Sequence, residues 1–97
     1  EPQLVPNADS SFTADARVTI AMLEAELGVE LIDAGGEDIE TLGGLVFSLA
    51  GRVPIRGELI RHSSGIEFEV LDADPRRIKY LRVLGLSPPP RPDGNDE

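Results

Sequence analysis

The chain has 97 residues, no cysteine and a formal net charge of −9, so it is at most one domain without disulfides or thiolate metal sites. An acidic protein repels phosphate backbones and anionic lipid surfaces, so neither nucleic acid nor a membrane surface is an expected partner. No apolar run approaches the roughly 18 residues that a membrane-spanning helix needs.

The excess negative charge lies in the first half of the sequence. Residues 1–50 contain ten acidic residues and one base, Arg17, whereas residues 51–97 contain eight acids and eight bases. A cation site, if the chain has one, is therefore expected in the first half.

The N-terminal part is predicted to contain one strand and one helix. Residues 1–8, with two prolines, are an expected extended lead-in, and a short strand follows at residues 10–14. Residues 19–27 are predicted to form the first helix, because Thr19 can cap its start and Gly28 can end it.

Residues 38–54, DIETLGGLVFSLAGRVP, are predicted to hold the central helix of the domain. Asp38 is the expected N-cap and Gly51 the expected left-handed stop. Apolar residues recur on one side of the helical wheel, which predicts that the helix covers a core. They are Ile39, Leu42, Val46, Leu49 and Ala50, with Leu45 at the edge.

Two adjacent glycines interrupt this helix. Each costs roughly 0.8–1 kcal/mol relative to alanine in a helix interior. Gly43 lies at the margin of the buried side, where a missing side chain lets another backbone approach, and Gly44 lies towards the polar side. Two interpretations remain open: tight packing inside the domain, which we favour, or a contact surface for another domain or subunit.

The second half is predicted to form a three-stranded antiparallel meander at residues 58–62, 66–71 and 76–84. In the last strand the apolar pattern changes phase, and a bulge near Lys79 and Tyr80 would return its apolar residues to one face. On the solvent face, Glu67 and Glu69 are expected opposite arginines, with Arg76, Arg77 and Arg82 as candidates.

These elements predict an α+β fold in β-α-α-β-β-β order. Two helices would cover one face of a mainly antiparallel sheet of about four strands. The predicted domain spans residues 9–85, and residues 86–97, rich in proline and then acidic, are an expected disordered tail.

Few residues are candidates for chemistry. His62, the sole histidine, is predicted at the surface and supports neither a catalytic dyad nor a zinc site. Asp33, Glu37, Asp38 and Glu40 could hold Mg²⁺ or Ca²⁺ through carboxylate oxygens, although a solvated acidic helix start is the interpretation we favour. No cofactor and no enzymatic activity are predicted.

The central helix and the strands after it closely resemble the CorC/HlyC-type transporter-associated domain. The segments that carry the resemblance are DIETLGGLVFSLAGRVP, a Gly-Glu pair before the next strand, and GIEFEVLDADPRRIKYLRV; together the similarity covers residues 9–83. It contributes no catalytic residue.

The resemblance implies a cytoplasmic domain near the C-terminal end of a longer inner-membrane protein. Family members carry a membrane domain and a paired CBS nucleotide-binding module, and are associated with magnesium and cobalt efflux or labelled haemolysin-like. The small domain would modulate ion transport.

Two functional hypotheses follow. The first is a regulatory domain that docks on the CBS pair or on a second copy, as a homodimer, through a surface that includes Gly44, Phe47 and an exposed sheet edge. The alternative is a small-ligand or divalent-cation sensor that uses Asp33, Glu37 and Asp38. An enzyme is a third class that no residue pattern favours.

Overall fold

Five strands and two helices make up the computed structural model, which describes residues 2–31 and 39–85. The strands are β1 (Leu4–Pro6), β2 (Phe12–Asp15), β3 (Leu59–Arg61), β4 (Glu67–Ala73) and β5 (Ile78–Leu84), and the helices are α1 (Ile20–Leu27) and α2 (Leu42–Ala50). Neither helix of this described part is long and apolar enough to cross a membrane.

All five strands join one antiparallel sheet in the order β1-β2-β5-β4-β3. This confirms the predicted α+β fold and meander, and adds β1 within the predicted lead-in. β1 is held by its pairing with β2 and by a hydrogen bond from the Asp15 N–H to the Gln3 carbonyl at 2.9 Å. Three residues ending in proline are too few to show an alternating pattern, so the sequence did not predict this strand.

The sheet presents rows of apolar side chains to the helices. Ala14, Leu81 and Val70 lie opposite one another across three neighbouring strands, and directly opposed residues point to the same face. The core that these rows form with the helices comprises Ala14, Ala16, Val18, Ile20, Leu23, Leu31, Leu42, Leu45, Val46, Ile66, Phe68, Val70, Ile78, Leu81 and Val83.

The predicted irregularity in the last strand is confirmed. Between β4 and β5 the register shifts twice, so that Leu71 on one strand and Lys79 on the other have no direct partner. The shift buries Ile78 on the same side as Leu81 and leaves Tyr80 exposed.

The expected cross-strand ion pairs are confirmed for one glutamate only. Glu69 lies opposite Arg82, with 3.9 Å between the charged groups. Glu67 pairs instead with Arg61 on β3 at 2.8 Å, because β3 flanks β4 directly and puts that arginine in register. Of the three candidate arginines, Arg82 is the one that faces a glutamate, because Arg76 and Arg77 precede the start of β5 at Ile78.

Helix α1 begins and ends as predicted. The Thr19 hydroxyl accepts a hydrogen bond from the Met22 N–H at 3.1 Å. Gly28 has a left-handed backbone with φ of 72° and donates its N–H to the Glu24 carbonyl at 2.7 Å.

Helix α2 ends at Gly51 as predicted but begins later. Its N-cap is Thr41, whose hydroxyl accepts from the Gly44 N–H at 3.1 Å, so the prediction that Asp38 is the cap is wrong. Threonine directly before Leu42 has the extended backbone that a cap requires. Asp38 itself lies outside the described residues.

The buried side of α2 is shorter than predicted. Leu42, Leu45 and Val46 are buried, whereas Leu49 is 41% exposed. On a helical wheel Leu49 falls among the three buried residues, so its exposure arises from its position along the axis, in the last turn before Gly51.

Backbone hydrogen bonds join the start of α2 to the turn after β2. The Gly43 N–H donates to the Ala16 carbonyl, and the Leu42 N–H to the Val18 carbonyl, each at 2.9 Å. A Cβ atom on Gly43 would lie 3.1 Å from the Ala16 Cβ atom and 3.3 Å from its carbonyl oxygen. The predicted close backbone approach at Gly43 is therefore confirmed.

His62 is buried, with 5% of its surface exposed, so its predicted surface position is wrong. Its Nε2 donates to the Leu31 carbonyl at 2.7 Å, and its Nδ1 accepts from the Ser64 N–H at 3.0 Å. The Ser64 hydroxyl lies 2.8 Å from Nδ1. The ring thus joins the end of β3 to the segment after α1, and both ring nitrogens are used in structural hydrogen bonds.

We expect Gly43→Ala to destabilise the domain, because the new methyl group meets backbone atoms that cannot move aside. Overpacking of this kind costs about 1–3 kcal/mol, and the gain in helix propensity offsets about 1 kcal/mol of it. The matched control is Gly44→Ala, whose Cβ would be 3.3 Å from the Thr41 hydroxyl and 3.6 Å from an Ile39 methyl group. Urea unfolding should show a loss for the first variant only; equal stabilisation of both would contradict the tight contact.

We expect His62→Phe to lower the free energy of unfolding by about 1–3 kcal/mol, because the Leu31 carbonyl and the Ser64 N–H lose their partner while the ring volume is kept. The control is Ser63→Ala, in the same turn but exposed, which should change stability by less than about 0.5 kcal/mol. Equal unfolding midpoints in urea for the two variants would show that these hydrogen bonds do not stabilise the fold.

Candidate functional site

A shallow groove of about 350 Å³ opens where α2, the turn after β2 and the β4–β5 turn meet. We call it the arginine-flanked groove. It is lined by Ala16, Arg17, Thr41, Gly43, Gly44, Phe47, Val53, Arg76, Arg77 and Ile78.

The two residues predicted to form an interaction surface both line this groove. Gly44 contributes no side chain, so the groove stays open at that position. Phe47, one turn further along α2, is 49% exposed although it is a large apolar residue. The structure therefore brings Gly44 and Phe47 together beside an open depression.

The turn after β2 holds the first arginine of the groove. Arg17 donates from Nε and Nη2 to the two carboxylate oxygens of Asp15 at 3.1 and 3.0 Å, while its side chain stays 70% exposed. These hydrogen bonds hold the pKa of the Asp15 carboxyl below its usual value. The two hydrogen bonds thus fix the orientation of the Arg17 side chain, and the Asp15 carboxylate largely neutralises its charge.

The β4–β5 turn supplies two further arginines. Asp74 Oδ1 accepts from the N–H groups of Arg76 and Arg77 at 2.8 and 3.0 Å, which fixes the turn and lowers the pKa of Asp74. The other oxygen of Asp74 lies 3.9 Å from the Lys79 amine. Within residues 2–31 and 39–85, no carboxylate oxygen lies within 4.0 Å of a side-chain nitrogen of either arginine.

The groove therefore combines an apolar floor with positive charge. None of its ten lining residues is acidic, and two of its three arginines have no ion-pair partner in the described part of the chain. A second depression of about 300 Å³ adjoins it and shares Arg17, Arg77 and Ile78 with it. Such a surface can hold an apolar side chain that has carboxylates beside it.

The groove offers binding chemistry and no nucleophile–base pair. Its one hydroxyl, on Thr41, already accepts a hydrogen bond from the Gly44 N–H as the helix cap. His62 does not line the groove.

The sequence pattern did not predict the arginines of the groove, because Arg76 and Arg77 were candidates to face Glu67 or Glu69 on the solvent face of the sheet. Two features of the sequence could have indicated them. Arg17 is the single base of the acidic first half, and Arg76 and Arg77 are adjacent bases directly after Pro75 in a predicted turn.

The structure does not test the predicted cation ligands. Asp33, Glu37 and Asp38 lie outside the described residues. Among residues 2–31 and 39–85, no group of three or more histidine, aspartate or glutamate side chains could hold a metal ion.

Comparison with known proteins identifies the family. Residues 5–85 match the model of the CorC_HlyC transporter associated domain. A protein named "Possible hemolysin C" from Rickettsia bellii is 39% identical over 75 residues, which are 77% of this chain and 25% of that protein. The chain thus spans about a quarter of the length of the curated relatives that it matches.

Two solved structures are similar in both sequence and fold. One is the transporter associated domain of a Xylella fastidiosa hemolysin in complex with Mg²⁺ and Mn²⁺, with 32% identity, a TM-score of 0.71, and 87% of this chain and 98% of that chain covered. The other is a region associated with a Mg²⁺ and Co²⁺ transporter (CorC) from Neisseria meningitidis, with 29% identity, a TM-score of 0.73, and 82% and 94% covered. This chain therefore belongs to the CorC_HlyC transporter-associated domain family.

Proposed function

We propose that this domain is a non-enzymatic regulatory module of a membrane ion transporter of the magnesium and cobalt efflux or haemolysin-like type. It acts by docking through the arginine-flanked groove, either on a CBS pair of the same polypeptide or on a second copy of itself. The observation that carries the proposal is the half-exposed Phe47 beside Gly44 and two arginines without ion-pair partners in the described part of the chain.

The length of the relatives supports docking within a longer polypeptide. Three quarters of the Rickettsia bellii protein lie outside the region that this chain matches. A groove that is apolar at its floor and charged at its rim has the anatomy of a polar interface with a central anchor. On this proposal the domain is cytoplasmic and lies beside the membrane part of an inner-membrane protein.

Absence of catalysis is part of the proposal. The groove contains arginines, apolar side chains and one engaged hydroxyl, and these bind and orient a partner without supplying a general base or a nucleophile. The ring nitrogens of His62 are committed to Leu31 and Ser64.

We expect Gly44→Leu to abolish docking while the domain stays folded, because a leucine at that position fills the groove. The measurement is sedimentation velocity of the 97-residue chain, alone over a range of concentrations and mixed with the CBS pair of its own full-length protein. The matched control is Ser48→Leu, which adds the same side chain at an exposed position of α2 that does not line the groove. Association that survives Gly44→Leu and equals that of Ser48→Leu would refute this docking surface.

A second candidate function is divalent-cation sensing, favoured by the Mg²⁺ and Mn²⁺ complex of the Xylella fastidiosa domain. Mg²⁺ prefers oxygen ligands, and in this chain the acidic first half contains Asp33, Glu37 and Asp38 close together in sequence. In this alternative these carboxylates bind the cation.

Thermal unfolding with and without millimolar Mg²⁺ or micromolar Co²⁺, at fixed ionic strength, tests this alternative. A site filled at 100 times its Kd adds about 2.7 kcal/mol, which raises the midpoint of a domain this small by roughly 10–20 °C. The rise should disappear in the D33N/E37Q/D38N variant and persist in E26Q/E30Q, which removes exposed charges elsewhere in the first half. No rise in the parent chain would exclude metal sensing by this domain.

A further inference from the structure

We propose that the arginine-flanked groove receives an acidic peptide segment that carries one large apolar side chain, supplied by a part of the same protein outside these 97 residues. This inference rests on the proposed docking function and names the chemistry of the partner. Its two parts, charge and apolar contact, each rest on a separate feature of the groove.

The charge of the partner follows from the arginines. Arg76 and Arg77 line the groove, and in the described part of the chain no carboxylate oxygen lies within 4.0 Å of their side-chain nitrogens. Asp74, the nearest acid in sequence, is engaged by their own backbone N–H groups. Guanidinium groups match carboxylates in a two-point geometry, so a segment with acidic residues spaced around the groove would satisfy both arginines.

The apolar side chain of the partner is inferred from the apolar residues that line the groove. Phe47 is half exposed, and Gly44, one turn before it on α2, adds no side chain to the lining. Val53 and Ile78 close the sides with further apolar surface. A purely acidic ligand would leave this surface in water, whereas one large apolar side chain would cover it.

A second copy of the chain fits the groove less well. A two-fold symmetric contact of groove on groove would bring the arginines of both copies into one interface that has no acidic lining residue to pair with them, and this accumulation of like charge disfavours it. A contact between the groove and an acidic surface elsewhere on the chain would be head-to-tail and would continue into open assemblies. A segment of the same polypeptide has neither restriction.

The test uses the fluorescein-labelled peptide EDEFEDE and fluorescence anisotropy with the 97-residue chain at 50 mM salt. We expect saturable binding that weakens at least tenfold in R76E/R77E and in F47A. R56E is the matched control, because Arg56 is exposed, outside the groove and absent from the ion pairs of the described residues. Equal weakening by R56E would show non-specific attraction and overturn the proposal.

A second pair of variants guards against misfolding. Charge reversal places new carboxylates beside Asp74, so R76Q/R77Q is measured as well, and it removes the charge without adding repulsion. Circular dichroism and thermal unfolding should match the parent for both variants. If R76Q/R77Q binds EDEFEDE as tightly as the parent chain, the arginines do not recognise the segment and the proposal is wrong.

Three further measurements distinguish this segment from other possible occupants of the groove. The peptide EDEAEDE should bind at least fivefold more weakly than EDEFEDE; equal affinity would refute the apolar contact. Displacement of EDEFEDE by 10 mM inorganic phosphate, at matched ionic strength, would assign the groove to small anions instead. Tenfold tighter binding after removal of residues 86–97, which include Asp93, Asp96 and Glu97, would assign it to the chain's own acidic end. Either of the last two results overturns the proposal.

The outcomes also separate this inference from the docking function. If Gly44→Leu abolishes association with the CBS pair but EDEFEDE does not bind, docking stands and the acidic partner is wrong. If EDEFEDE binds through Arg76 and Arg77 but Gly44→Leu leaves association with the CBS pair intact, the groove recognises acidic segments and docking through it is wrong.

Discussion

The position of α2 on the sheet depends on one backbone contact, between Gly43 and Ala16. The Gly43 N–H donates to the Ala16 carbonyl and the Ala16 N–H donates to the Lys79 carbonyl, both at 2.9 Å, so one residue links α2 to β5. The first N–H groups of a helix have no partners within it, and here carbonyls of the turn after β2 satisfy two of them. With a Cβ atom at position 43 only 3.1 Å from that of Ala16, a residue other than glycine would force these backbones apart.

The groove is a consequence of the same contact. Because α2 meets the turn after β2 at Gly43, its next residue, Gly44, and its next turn, with Phe47, lie beside Arg17 and the β4–β5 turn. The adjacent glycines therefore have different surroundings. Gly43 packs against the backbone of the domain, as the tight-packing interpretation predicts, and Gly44 lines the groove, where a contact surface for another domain or subunit stays a prediction.

Local chemistry made much of the fold predictable, and long-range contacts account for most of what was not. Caps at Thr19, Gly28 and Gly51 could be assigned because each is satisfied within one turn of its own helix. His62 could not, because its acceptor is Leu31, 31 positions earlier, and one polar residue at a strand end has no periodicity to analyse. The groove likewise gathers its lining from three separate parts of the sequence, so no single stretch shows it.

Net charge is a poor guide to the partner of this domain, because screening makes electrostatics local. The sequence total of −9 predicts repulsion of anions, yet the groove has a surplus of two positive charges. At physiological salt the Debye length is about 8 Å, so acids further away contribute little once a carboxylate is inside the groove. They still oppose approach from solution. A tether offsets that penalty, since a segment of the same polypeptide has an effective concentration on the order of millimolar. A cationic groove in an acidic domain is therefore better suited to an attached acidic segment than to a freely diffusing anion.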